Sequence, residues 1–165
     1  MFQPSITGHG VFTPEQTISN DELVASFNAY AAKWNAAHAD EIARGDLEAK
    51  TESSAGFILS ASGIESRHVL EKEGVLDPDR MFPRLRERSD DEPGVMAEIA
   101  LDAAGKALQM AGREGREIDL VICAASNHER PYPAVAIEIQ KLLGAGGFAF
   151  DMNVACSSAT FGIQA

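Results

Sequence analysis

Apolar and small residues share the first dozen positions, with Ile6, Val11 and Phe12 set around Gly8 and Gly10. That pattern predicts a short strand over residues 5–12, stopped by Thr13-Pro14. Ser19-Asn20-Asp21-Glu22 then reads as a helix start, with Ser19 as N-cap and Glu22 three residues on. Leu23, Val24, Phe27, Tyr30, Ala31 and Trp34 follow at helical spacing, so the helix is expected to run to about Ile42 or Leu47. Gly45 and the cluster Ser53-Ser54-Ala55-Gly56 break the pattern. Phe57-Ile58-Leu59 is too short an apolar run to assign, whereas residues 63–70 alternate as a strand does. The twenty residues after them, charged and punctuated by Pro78 and Pro83, read as an irregular surface connection.

The second half of the chain is more regular. From about Pro93, Met96, Ala100, Ala103, Ala107 and Ala111 fall on one helical face, and Gly112 ends the run. Residues 119–125 form a run that is continuously apolar after Asp119, as expected of a strand covered on both faces. Pro131-Tyr132-Pro133 opens another helical stretch that carries Val135, Ile137, Ile139 and Leu143 to Gly144. Phe148, Phe150, Met152 and Val154 then alternate as a strand and lead straight into Ala155-Cys156-Ser157-Ser158. Helices alternating with buried strands define an α/β fold.

Composition narrows the functional classes. The chain has 165 residues, 45% hydrophobic and 24% charged, ordinary for a globular domain with its own core. No apolar run reaches the roughly 18–20 residues that cross a bilayer, and the start Met1-Phe2-Gln3-Pro4-Ser5 has no signal-peptide character. A cytoplasmic protein is therefore expected. A net charge of -11 argues against nucleic acid and against broad contact with anionic membranes as partners. The two cysteines, Cys123 and Cys156, fit a reducing compartment as free thiols, a disulfide between them being the alternative.

One segment carries chemistry. Cys156 stands where a strand gives way to small residues able to start a helix. A thiol at a helix N-terminus lies at the positive end of the dipole, beside unpaired backbone N–H groups. Such groups favour the thiolate and can hold the oxyanion of an attacked thioester. The other reading of the same spacing is a small buried cysteine. Cys123, inside an apolar strand, reads as inert core. His9, His38, His68 and His128 share no ligand-like spacing with the cysteines, so no metal site is indicated and no cofactor is implied. Gly144-Ala145-Gly146-Gly147 precedes a strand and reads as a turn rather than a phosphate cradle.

The stretch Asp151-Met152-Asn153-Val154-Ala155-Cys156-Ser157-Ser158-Ala159-Thr160-Phe161-Gly162 resembles the nucleophile segment of the beta-ketoacyl-ACP synthase III family, ACP being acyl carrier protein. Ile6-Thr7-Gly8-His9-Gly10, Ser62-Gly63-Ile64-Glu65-Ser66-Arg67-His68-Val69 and Arg130-Pro131-Tyr132-Pro133-Ala134 resemble further segments of that family. Within it, residues 19–28, Glu52-Ser53-Ser54 and the cysteine segment look closest to the beta-ketodecanoyl-ACP synthase group. The resemblance implies the N-terminal half of a thiolase fold, layered αβαβα when complete, with a helical insertion at about residues 28–54. It implies that residues 1–165 are that half-domain and that the C-terminal half, with the family's catalytic His and Asn, lies outside the chain.

The implied reaction is a decarboxylative Claisen condensation. Cys156 would take an acyl group from acyl-CoA, medium-chain such as octanoyl-CoA, and malonyl-ACP would accept it as beta-ketoacyl-ACP in fatty acid biosynthesis. The resemblance also assigns Phe57 to substrate binding, near where acetyl-primed members carry a Trp that holds the CoA adenine. Ala61 stands near the position of an Arg with the same task, so the grip on CoA differs here. Tyr132 takes the place of an aromatic residue that family members contribute across a homodimer interface, a surface tyrosine at a helix start being the plainer reading. Another thiolase-type acyltransferase, or a non-catalytic subunit, would carry the same segment.

Overall fold

The computed structural model describes residues 4–165. Met1-Phe2-Gln3, which opens the stretch read above as lacking signal-peptide character, lies outside the described residues. The chain divides into two compact units, one of residues 13–87 and one that joins residues 4–12 to 88–165.

In the unit of residues 13–87, a two-stranded antiparallel sheet pairs β1 (Gln16–Ser19) with β2 (Ser66–Val69). Ile18 pairs with Arg67 and is almost wholly buried. β2 falls inside the strand expected at 63–70, whereas β1 was not foreseen, because Gln16-Thr17-Ile18-Ser19 offers a single apolar side chain. Helix α1 (Asn20–Ala37) starts where the capping signal puts it. The Ser19 hydroxyl accepts the Glu22 N–H at 3.2 Å, and the Glu22 carboxylate accepts the Ser19 N–H at 2.9 Å. Both N–H groups are donors that a helix start leaves orphaned. Asn20 is buried and holds the unit together: its Nδ2 donates to Ile64 O at 2.7 Å and its Oδ1 accepts from Arg67 at 2.9 Å.

The helix does not continue to Leu47. It breaks at His38, and a short α2 (Ala39–Arg44) follows, closed by Gly45 at φ +80. The cause is local: the His38 ring stacks on Trp34 at 4.3 Å and its Nδ1 lies 2.8 Å from Trp34 O, a carbonyl of the last helical turn. Two asparagines on α1 then catch the returning chain. Asn35 donates to Lys50 O and accepts from Lys50 N, at 2.9 and 2.8 Å. Asn28 makes the same pair with Ser53, at 3.1 and 2.9 Å. The unassigned run at 57–59 lies in α3 (Ala55–Ser62), whose N-cap Ser54 accepts the Phe57 N–H. The connection after β2 holds one helical turn, α4 (Glu73–Leu76).

The other unit contains α5 (Val95–Ala111), β3 (Leu120–Ala124), α6 (Val135–Leu143), β4 (Phe148–Met152) and α7 (Ser158–Gln164). β3 and β4 run parallel, joined through α6, with Leu120 opposite Phe148 and Ala124 opposite Met152. Ala97, Val121, Val135, Ala136 and Ile139 form its core. Three of these lie on α6, which explains why that helix has the clearest apolar face. α5 ends at Gly112 and α6 at Gly144, both in the left-handed region that glycine tolerates.

Two expectations change here. Residues 5–12 form no strand: a strand needs a ladder partner, and this run lies instead along α5. Gly8 and Gly10 permit that approach, since a Cβ on either would stand about 2 Å from a carbonyl oxygen of Ala107 or Ala103. Lys106 seals the contact by donating to Val11 O at 3.0 Å. The second change is at α6, which begins at Val135 rather than at Pro131-Tyr132-Pro133; Tyr132–Pro133 is a cis peptide in an irregular lead-in.

Candidate active site

Cys156 lies in a taut turn between the end of β4 and the start of α7. Two side chains of the neighbouring sequence set that turn. Asn153 donates through Nδ2 to Ser126 O at 3.0 Å and accepts the Ala155 N–H at 3.1 Å, so it ties the turn to the loop after β3. The Ser158 hydroxyl, buried, accepts from Val154 N at 2.9 Å and donates to Ala155 O at 2.8 Å. Ala155 itself is held at φ +48, a left-handed conformation that is uncommon without glycine and that clusters at functional sites. Cys156 follows this strained residue and is exposed to solvent. The turn therefore presents a thiol and fixes its backbone.

The helix begins two residues beyond the cysteine, at Ser158, not at the cysteine itself. Its first N–H groups are also partly committed. Ser157 N donates to Val154 O at 3.1 Å and Ser158 N to Ala155 O at 3.2 Å. The expectation of free N–H donors around the thiol is thus not met at these two positions, because the tight turn consumes them.

Cys123 behaves differently. It packs against the core beside Met96, and its thiol is pushed up to about 11, first by burial and then by the charges of Asp151 and Glu129. Low thiolate content suits the inert role read from its apolar strand. The structure also brings together a set that spacing did not reveal: Cys123, His128 and Asp151 place their ligand-type atoms within 4.8 Å of one another. Asp151 was missed for a second reason. Its carboxylate caps α6, accepting from Val135 N and Ala136 N at 2.8 Å each. A lone charge in the apolar strand Phe-Ala-Phe-Asp-Met was the available signal, since buried carboxylates are paired.

Tyr132 is 85% exposed, in the lead-in to α6. Phe57 belongs to the other unit. It is exposed and lines an open groove of about 900 Å³ with Leu23, Val24, Phe27, Ile58 and Met81. Among the described residues no helix is long and apolar enough to cross a membrane.

The architecture is that of a thiolase-type fold. The chain superposes on the crystal structure of 3-oxoacyl-[acyl-carrier-protein] synthase III from Aquifex aeolicus VF5 with a TM-score of 0.64, over 96% of this chain and 37% of that one, at 22% identity. Its sequence is 58% identical over 140 residues to a beta-ketodecanoyl-[acyl-carrier-protein] synthase of Pseudomonas aeruginosa, covering 85% of this chain and 40% of the relative. It is 31% identical over 160 residues to a beta-ketoacyl-[acyl-carrier-protein] synthase III of Bordetella petrii, covering 96% of this chain and 37% of the relative. The chain is similar to these beta-ketoacyl-ACP synthases over most of its own length and spans about two fifths of theirs. No model of a protein family matches it.

Proposed function

We propose that the protein to which this chain belongs is an acyltransferase that condenses a medium-chain acyl-CoA with malonyl-ACP, and that Cys156 is its nucleophile. The observation that carries this reading is the turn at residues 153–158, which offers an exposed thiol on a backbone fixed by Asn153 and Ser158. The 58% identity to a beta-ketodecanoyl-ACP synthase supports the choice of substrate. Octanoyl-CoA is the proposed donor, since adding two carbons to it yields a ten-carbon product.

In this reading the Cys156 thiolate attacks the thioester carbonyl and CoA leaves as its thiol, so the acyl group rests on sulfur. Malonyl-ACP then loses carbon dioxide, and its nucleophilic carbon attacks the acyl carbonyl. Beta-ketoacyl-ACP departs and the Cys156 thiol is restored. Resemblance to the family assigns the decarboxylation to a His and an Asn outside these 165 residues. The domain reading goes with it: residues 1–165 as the N-terminal half-domain, with residues 28–54 as a helical insertion. Phe57 is proposed to contact the CoA and Tyr132 the acyl chain bound by the other subunit of a homodimer, in the cytoplasm.

The test uses the full-length protein with octanoyl-CoA labelled in its acyl group. Label is expected on the peptide that contains Cys156, stable to gel filtration and released by hydroxylamine. Label that persists in a Cys156→Ala variant would overturn the assignment of the nucleophile. The 165-residue chain alone is expected to yield no beta-ketoacyl-ACP from octanoyl-CoA and malonyl-ACP.

A further inference from the structure

Three groups outside the Cys156 turn converge in a way the proposed reaction does not use. Cys123 and Asp151 are register partners on the parallel strands β3 and β4, so their side chains rise side by side. The loop after β3 folds back and sets the His128 ring over the same spot. His128 Nε2 lies 3.1 Å from Cys123 O, to which it donates as its N–H tautomer, and 3.9 Å from Asp151 Oδ2. The three ligand-type atoms lie within 4.8 Å of one another, and the His128 and Asp151 side chains are only 11% and 17% exposed.

We propose that Cys123, His128 and Asp151 form a binding site for one divalent cation of the zinc class. The donor set decides the class. Thiolate and imidazole select zinc over magnesium or calcium, which take oxygen ligands. Three protein ligands with water in the fourth place make a tetrahedral site, in which ligand atoms stand roughly 3.3–3.8 Å apart given ordinary zinc bond lengths. The His128–Asp151 separation is already close to that. Electrostatics agree, because Asp151 and Glu129 both bear on the Cys123 thiol and disfavour a second uncompensated negative charge there. A cation removes that obstacle.

Binding has a definite proton balance. The Cys123 thiol releases its proton to solvent as the sulfur–metal bond forms. His128 gives up its hydrogen bond to Cys123 O, carries its proton on Nδ1 and ligates through Nε2. Asp151 keeps the two N–H groups of α6, which orient its carboxylate from behind as outer partners of ligating groups do. Cys156 takes no part, so the site is independent of the proposed nucleophile.

The 165-residue chain, stripped with a chelator and titrated with zinc at neutral pH against a chromophoric chelator, should bind one zinc per chain. Cys156→Ala should bind equally well. Cys123→Ser and His128→Ala should each weaken binding at least about tenfold, no less than the loss of an outer partner costs. No binding by the wild-type chain, undiminished binding by Cys123→Ser, or loss of binding in Cys156→Ala would each overturn the proposal. Should Cys123→Ser fail to fold, cobalt added to the Cys156→Ala chain decides. Cys123 is then the only thiol, and a thiolate-to-cobalt charge-transfer band supports the site while its absence refutes it.

Discussion

The two thiols separate at the scale of the residue. Cys123 is held near pKa 11, so roughly one molecule in a thousand carries it as thiolate at pH 8. Cys156 is exposed on its turn. Iodoacetamide at pH 8 should therefore modify Cys156 at least about tenfold faster than Cys123, measured by peptide mass mapping over time. Equal rates would mean that the turn does not present the thiol as described. The position of Cys156 after a strand was legible in the sequence, because Phe148, Phe150, Met152 and Val154 alternate up to it. The way the turn is held was not legible. Ser158 looked like one more small residue after the cysteine, and only the fold shows its hydroxyl bridging Val154 and Ala155. Local spacing likewise could not pair Cys123 with Asp151, since a strand register joins residues far apart in the chain.

Elements were legible where local chemistry alone decides them. The capping box of α1 is such a case, and it predicts a pH effect. The Glu22 carboxyl is lowered to about 2, chiefly by the hydrogen bond from Lys72 and then by those from Ser19. A folded-state value below the unfolded one means that the carboxylate stabilises the helix start at neutral pH. That contribution fades as pH falls from the ordinary glutamate range through about 2. Thermal melts followed by far-UV dichroism should show stability dropping over that interval, and Glu22→Gln should flatten the drop. An unchanged acid profile in the variant would remove Glu22 as its cause. Elements that depend on partners were misread. The run at 5–12 carries a strand-like pattern but no ladder, and α1 stops at His38 because a ring stack, invisible to periodicity, closes its last turn.

At the scale of the whole molecule, composition promised a globular chain, and both units do have buried centres. It could not show how much apolar surface stays open. In the unit of residues 4–12 and 88–165, Ile6, Phe148 and Ile163 are each more than 60% exposed, and Phe161 is nearly half exposed. Large apolar side chains left this open favour association wherever they adjoin. The isolated chain should bind a hydrophobic dye and elute from a sizing column above its monomer mass of 17.6 kDa. A clean monomer that binds no dye would contradict this picture of the surface.

The paired amides of Asn28 and Asn35 have a further consequence. Residues 50–53 belong to no helix or strand, yet the backbone N–H groups of Lys50 and Ser53 are hydrogen-bonded to side chains of α1. Those side chains hold their places only while the helix is formed. In deuterated water the two amides should exchange as slowly as the middle of α1, while Thr51 between them exchanges freely. An irregular segment would then report the opening rate of a helix, and the loop and α1 would come apart as one cooperative unit.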